Sequence, residues 1–216
     1  IPFLEALVQI PDVIPSRIRA VSLTFLHVDD FDTVYQIFYP VFQHSYGIIY
    51  MIVGAIPVSY YGRPRLSRDA DIAVLIRSER DNNVLHRLID RARYNVISPD
   101  KLNRDLTKHN TIRLVDRKTG IIIVLLPNPS AVALTPQSFG RAWEARFFGK
   151  RISIVSPEDY ILMKLKSRRG TDDFRDMFTT MTYNKDRLDW EYLGKRASEL
   201  GVTHLLNFYK EKGGSE

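Results

Sequence analysis

The stretch from Met51 to Ile76, MIVGAIPVSYYGRPRLSRDADIAVLI, restricts the fold more tightly than any other part of the chain. An apolar run ending at Val53 meets Gly54, and a short amphipathic segment follows. A basic Gly/Pro turn comes next, and then Asp69 and Asp71 open a second apolar run, Ala70 to Ile76. The order this predicts is strand, glycine turn, helix, loop, acidic strand. Gly54 has no Cβ, so the backbone there can turn tightly and present N–H groups at a helix N-terminus, where an anion is favoured. Side chains at i and i+2 leave a strand on the same face, so Asp69 and Asp71 point the same way. Two such carboxylates repel, and a divalent cation relieves the repulsion. Mg²⁺ takes one or two carboxylates together with substrate phosphate oxygens.

Gly54-Ala55 followed by Tyr61-Gly62-Arg63-Pro64-Arg65-Leu66-Ser67-Arg68-Asp69-Ala70-Asp71-Ile72 resembles the signature of the nucleotidyltransferase superfamily, the polymerase-beta-like fold. Among its members the small prokaryotic AbiEii-toxin-like proteins are the most similar. In that family a strand ends in Gly-Gly or Gly-Ser, and a Ser/Thr-x-Asp-x-Asp motif begins the next. Gly-Ala stands at the first place here, and a small residue still permits the turn. The resemblance implies an α/β fold, a twisted mixed sheet flanked by helices with a helical C-terminal portion. It also implies metal-dependent transfer of a nucleoside monophosphate from an NTP to an acceptor hydroxyl, with release of pyrophosphate. Asp69 and Asp71 would hold Mg²⁺ or Mn²⁺, and Gly54 and Ala55 would offer backbone N–H groups to the triphosphate. Arg65, Ser67 and Lys164 would add phosphate contacts. The partners it implies are an NTP, an RNA or tRNA acceptor, and a second copy or an antitoxin in a toxin–antitoxin setting.

A second block of the chain is also similar to the family. Ser156-Pro157-Glu158-Asp159 opens a helix, with Ser as cap, Pro in the first turn and acids facing the positive end of the dipole. The family carries a Pro-Glu-Asp-Leu-x-x-x-Lys-Leu helix here, followed by an Arg-x-Lys-Asp-x-x-Asp segment. Lys164-Leu165 and then Arg168 to Asp176 match it loosely. Lys164 reads as a phosphate ligand or as a solvated lysine on an amphipathic helix. Asp173 and Asp176 read as partners of Arg168, Arg169 or Lys164.

One expected group is missing. Family members carry a third carboxylate on the strand after such a turn, and counting from Gly120 its place falls at about Val124. The run Ile121 to Leu126 contains no acid. Either another acid, such as Glu144, Glu158 or Asp116, takes over, or the function is absent. Loss of a general base costs about 10²–10⁴ in rate. The alternative reading is therefore a catalytically impaired protein that binds nucleotide or nucleic acid.

Composition sets outer bounds. The 216 residues are 44% hydrophobic and 26% charged, enough for a core and unlike a disordered chain. Cysteine is absent, which removes disulfides, cysteine-ligated zinc and thiol nucleophiles. The five histidines have no partners at metal-ligand spacing. Thirty-one Lys and Arg face 25 Asp and Glu, a formal charge of +6 that tilts toward a polyanionic partner. No apolar run approaches the roughly 18 residues of a membrane span and nothing resembles a signal peptide, so a cytoplasmic protein is expected.

The remaining periodicities give a helical preamble over 1–27, a helix from the Asp29, Asp30 and Asp32 cluster to Gly47, and a helix over 80–93. A short extended piece at Tyr94 and a helix starting at Ser98-Pro99-Asp100 follow. Residues 111–115 and 121–126 form a hairpin. The Pro/Ser/Asn connector over 127–136 divides a nucleotidyltransferase core, 1–127, from a mainly helical portion, 128–216, that completes the cleft. A short helix is expected within 139–148 with strand pieces around Gly149-Lys150, and helices over 186–200 and 203–212 close the chain.

Overall fold

A computed structural model describes residues 48–63, 69–91, 94–96, 108, 110–116, 122–127, 129–147, 150–167 and 170–213. The expected helices within 1–47, the helix from Ser98, the hairpin turn at 117–120 and the loop carrying Arg65 and Ser67 lie outside these residues.

The elements run β1 (Ile49–Val53), α1 (Ala55–Tyr61), β2 (Asp69–Leu75), α2 (Glu79–Arg91), β3 (Tyr94–Val96), β4 (Ile112–Asp116) and β5 (Ile122–Leu126). A 3₁₀ turn (Pro129–Val132) leads to α3 (Pro136–Gly140), β6 (Trp143–Phe147) and β7 (Lys150–Ile154). Helices α4 (Pro157–Ser167), α5 (Thr171–Asn184), α6 (Trp190–Glu199) and α7 (Thr203–Gly213) follow. The strands form one mixed seven-stranded sheet in the order β3-β4-β5-β2-β1-β7-β6. β1 runs antiparallel to β2, β2 parallel to β5, and β1 parallel to β7. This is the twisted mixed α/β sheet with a helical C-terminal portion that the sequence implied. The segment after 127 also reaches the sheet, because β7 lies against β1 through Ile52 and Ile154.

The alternation of β2 sets its two faces. Ala70, Ile72 and Val74 are fully buried and pack with Tyr50, Ile123, Leu125 and Leu114, while Asp69 and Asp71 point the other way. Each large aliphatic side chain sealed from water here contributes about 1.5–3 kcal/mol. A second cluster joins α4, α5, α6 and α7 through Ile161, Leu162, Met177, Met181, Leu193 and Leu206. Along α5 the apolar residues Phe174, Met177, Phe178 and Met181 recur at helical spacing, which explains why this segment is a helix. β6 corrects the expectation of one short helix within 139–148. α3 ends at Gly140, and from Trp143 the chain alternates, with Ala145 buried between exposed Glu144 and Arg146.

Candidate active site

Every residue of α1 is buried, so the helix is fixed by packing around its whole circumference. Pro57 sits in the first turn, where a missing N–H does no harm. At the far end Gly62 N–H donates to Val58 O at 2.8 Å, and Asn184 Nδ2 donates to Tyr61 O at 2.7 Å, so α5 holds the last turn of α1. A Cβ at Gly62 would stand 2.8 Å from Val58 Cγ2 and 3.0 Å from Thr180 Oγ1, which shows how closely the two helices meet.

The near end of α1 is the turn at Gly54, with φ of 74° and ψ of −137°. That conformation suits glycine. β1 and β2 pair so that Val53 lies opposite Asp71, and the Asp71 side chain therefore falls over the turn. A Cβ on residue 54 would overlap Asp71 Oδ2 and stand 3.0 Å from Asp71 Cγ. The glycine is thus required twice, by its φ and by the carboxylate above it. The sequence placed Gly54 and Asp71 in one neighbourhood, and in the fold they are in contact. Ala55, the first residue of α1, is buried directly after the turn. Asp69 stands two residues before Asp71 on the same face of β2, and both carboxylates are partly exposed.

This donor set fits a hard divalent cation. Two carboxylates share a strand face, one of them seated in the cradle that a Cβ at position 54 would fill. Mg²⁺ commonly uses one or two carboxylates and completes its shell with water and substrate phosphate oxygens. Among the described residues no group of three His, Cys, Asp or Glu side chains is close enough to hold a metal ion.

The reason lies in the sheet. Asp71 pairs with Val124 across the parallel β2–β5 contact, and Val124 pairs with Arg113 across β5–β4. Val53, Asp71, Val124 and Arg113 therefore form one row on one face. The place beside Asp71 is filled by a buried valine, as the sequence indicated, and the place beyond it by an exposed arginine. Arg113 was not singled out from the sequence. Its position follows from the β4–β5 register, which pairs Ile112 with Leu125 and Arg113 with Val124.

The other carboxylates weighed as replacements have different surroundings. Glu144 lies on edge strand β6, exposed, 3.6 Å from Arg151. Glu158 is buried, accepts from Asp189 N–H at 3.0 Å and faces Arg141 at 3.9 Å. The side chain of Asp116, at the end of β4, lies outside the described residues.

Lys164 sits on α4, largely buried, with its Nζ 2.5 Å from Asp173 Oδ1 and 3.6 Å from Asp176 Oδ2. It also lies 5.3 Å from the centroid of the Tyr160 ring. Asp173 further accepts from Ser167 Oγ at 2.7 Å, and Asp176 accepts from Tyr160 OH at 3.2 Å. The structure thus brings Lys164 together with the two acids of the second motif. Tyr160 packs edge-on against Tyr61 at 5.8 Å, and Tyr61 is at the opposite end of α1 from Gly54. Burial drives the Tyr61 phenol well above its ordinary range, and the nearby Tyr160, Glu158, Asp159 and Asp176 push it the same way.

A second polar cluster was invisible in the sequence. Asp159, read as a first-turn acid, is fully buried and accepts from Ser138 Oγ at 2.8 Å, Tyr192 OH at 2.8 Å and Ser156 Oγ at 3.3 Å. Ser156 also caps α4 by accepting from Asp159 N–H at 3.2 Å. One carboxylate thereby joins α3, the start of α4 and α6. Burial raises its pKa, partly offset by the three hydroxyl donors and Arg141. The Tyr192 phenol is pushed up to about 12, first by burial and then by the Asp159 carboxylate.

No protein-family model and no curated protein sequence matches the chain. Solved structures do share its fold. One is an antigenic nucleotidyltransferase-like protein from Paracoccidioides brasiliensis, 18% identical with a TM-score of 0.50, the match covering 85% of this chain and 93% of that one. Another is the solution structure of the antibiotic-resistance factor ANT(2'')-Ia, 13% identical with a TM-score of 0.50, covering 84% of this chain and 98% of that one. The fold is therefore of the nucleotidyltransferase-like class.

Proposed function

We propose that this protein transfers a nucleoside monophosphate from an NTP to an acceptor oxygen, a hydroxyl in the sequence reading, with release of pyrophosphate, in a Mg²⁺- or Mn²⁺-dependent reaction. The observation that carries this is the seating of the Asp71 carboxylate on Gly54, beside Asp69, at the start of α1. Asp69 and Asp71 would hold the metal, which when bound neutralises triphosphate charge and polarises the reacting phosphoryl group. The backbone at Gly54 and Ala55 would orient the triphosphate, with Arg65, Ser67 and Lys164 as further phosphate contacts. The shared fold supports a nucleotidyltransferase. The formal charge of +6 and the likeness of the motifs to AbiEii-like proteins favour RNA, including tRNA, as the acceptor class, and a cytoplasmic toxin–antitoxin setting with a second copy or an antitoxin as partner.

A second reading rests on Val124, which stands where a third acid would complete the group on Asp71's face. In that reading the chain binds nucleotide or nucleic acid without turnover. Incubation with each labelled NTP, Mg²⁺ or Mn²⁺ and total RNA, beside an Asp69→Ala/Asp71→Ala double variant, separates the two. Label transfer lost in the variant supports the enzyme. Metal-dependent NTP binding without transfer supports the binding protein.

A further inference from the structure

We propose that the acceptor attacks through a phosphate oxygen, so that the substrate class is a terminal phosphate monoester and not a free hydroxyl. The inference rests on the nucleotidyl-transfer reading above and concerns the row Asp71, Val124, Arg113.

A hydroxyl must lose a proton to become an effective nucleophile, and a positioned base supplies that step. On the face that carries Asp69 and Asp71, the neighbouring strand offers Ile122 and Val124, and neither accepts a proton. Among the described residues no third carboxylate or histidine joins the pair. A phosphate monoester needs no such base. Its second pKa is about 6, so at pH 7 it already carries a charge of about −1.5 to −2 and an oxygen nucleophile without a proton.

Arg113 supplies the complementary charge. It is exposed, belongs to no ion pair among the described residues, and shares the face of Asp71 two strands away, about 10 Å by the strand spacing. A guanidinium matches a phosphate through paired N–H donors. The buried Val124 between them keeps the acidic and basic groups apart, leaving a cation–phosphate place at Asp71 and an anion place at Arg113. In the step itself an acceptor phosphate oxygen forms a bond to the α-phosphorus. The bond from that phosphorus to the oxygen bridging the β-phosphorus breaks, and its electron pair leaves with pyrophosphate. The product carries a new P–O–P linkage, and no proton has to be removed.

The test uses the full chain with α-³²P-labelled NTPs and Mg²⁺. One probe is an oligoribonucleotide with a 5′-phosphate and a 3′-deoxy end, and another is the same sequence with a 5′-hydroxyl and a free 3′-hydroxyl. A third is a small sugar phosphate beside its unphosphorylated sugar. Label is expected only on phosphorylated probes, resistant to phosphatase and released by a nucleotide pyrophosphatase. The RNA and sugar arms show which source of phosphate is preferred. Arg113→Ala, at an exposed site, is expected to raise KM for the phosphorylated probe about tenfold with little change in kcat, as loss of a hydrogen bond to a charged group does. It is also expected to weaken binding of that probe in fluorescence anisotropy. Label on the hydroxyl probe overturns the inference and leaves nucleotidyl transfer standing. Label on no probe, with no metal-dependent NTP binding, overturns both. An Arg113→Ala protein that handles the phosphorylated probe like the parent also overturns it.

Discussion

The Asp71 carboxylate occupies the space that any side chain at position 54 would require, so the bend after β1 and the acid of β2 are mutually dependent. Gly54→Ala is expected to cost about 2 kcal/mol or more, combining the left-handed backbone with displacement of the carboxylate. Urea denaturation gives the stability loss. The same variant should lose its NTP-induced thermal shift, whereas Gly140→Ala, at a glycine with open space around its Cβ, should keep it.

Asp71→Asn separates chemistry from folding. The substitution preserves shape under the partly exposed carboxylate, so its thermal midpoint should stay within a few degrees of the parent. The stabilisation by Mg²⁺ with NTP should disappear. Differential scanning fluorimetry with and without metal checks both halves.

Lys164 is held between Asp173 and the fully buried Asp176. Replacing it with Met strips the cation from a buried carboxylate, a change that costs about 3–5 kcal/mol when one partner of a buried pair is removed. Chemical denaturation of Lys164→Met measures this. A contact used only for phosphate would instead leave stability unchanged and lower NTP affinity.

Asp159 gives a pH signature. Its folded pKa is raised by burial, so the folded state binds its proton more tightly than the unfolded chain does. The stability from this group is present below the ordinary aspartate value of 3.8 and is lost as pH rises through the raised folded value. Asp159→Asn keeps an acceptor for Ser138 and Tyr192 but has no such loss. The variant should therefore gain stability relative to the parent as pH rises from about 3 toward 7, measured as the difference in urea midpoints. A difference that shrinks with rising pH would contradict this account. Asp159→Leu, which leaves those hydroxyls without their acceptor, should cost about 2–4 kcal/mol at any pH in that range.

What could be read in advance follows from the range of the interactions. β1, Gly54, α1 and β2 are encoded locally, by a glycine at the end of an apolar run and acids at i and i+2, and they form as expected. The β4–β5 hairpin and the absence of an acid at Val124 were equally local. Asp159 shows the opposite case. Its partners Ser138 and Tyr192 are 21 and 33 residues away, so its role as a buried junction has no signature in the segment that contains it. β6 was missed in part because Phe139, Trp143, Phe147 and Phe148 satisfy either period, and the alternation of Glu144, Ala145 and Arg146 is only three residues long. Helix α5 had a usable signal in Phe174, Met177, Phe178 and Met181, masked by the acidic motif it overlaps.

Mn²⁺ electron paramagnetic resonance with a non-hydrolysable NTP analogue addresses the metal and triphosphate together at the Gly54–Asp71 turn. The account predicts that the analogue recruits Mn²⁺ to the parent protein and that Asp71→Asn abolishes the recruitment while the chain remains folded. Equal Mn²⁺ binding by both proteins, or binding of the analogue indifferent to metal, would contradict it.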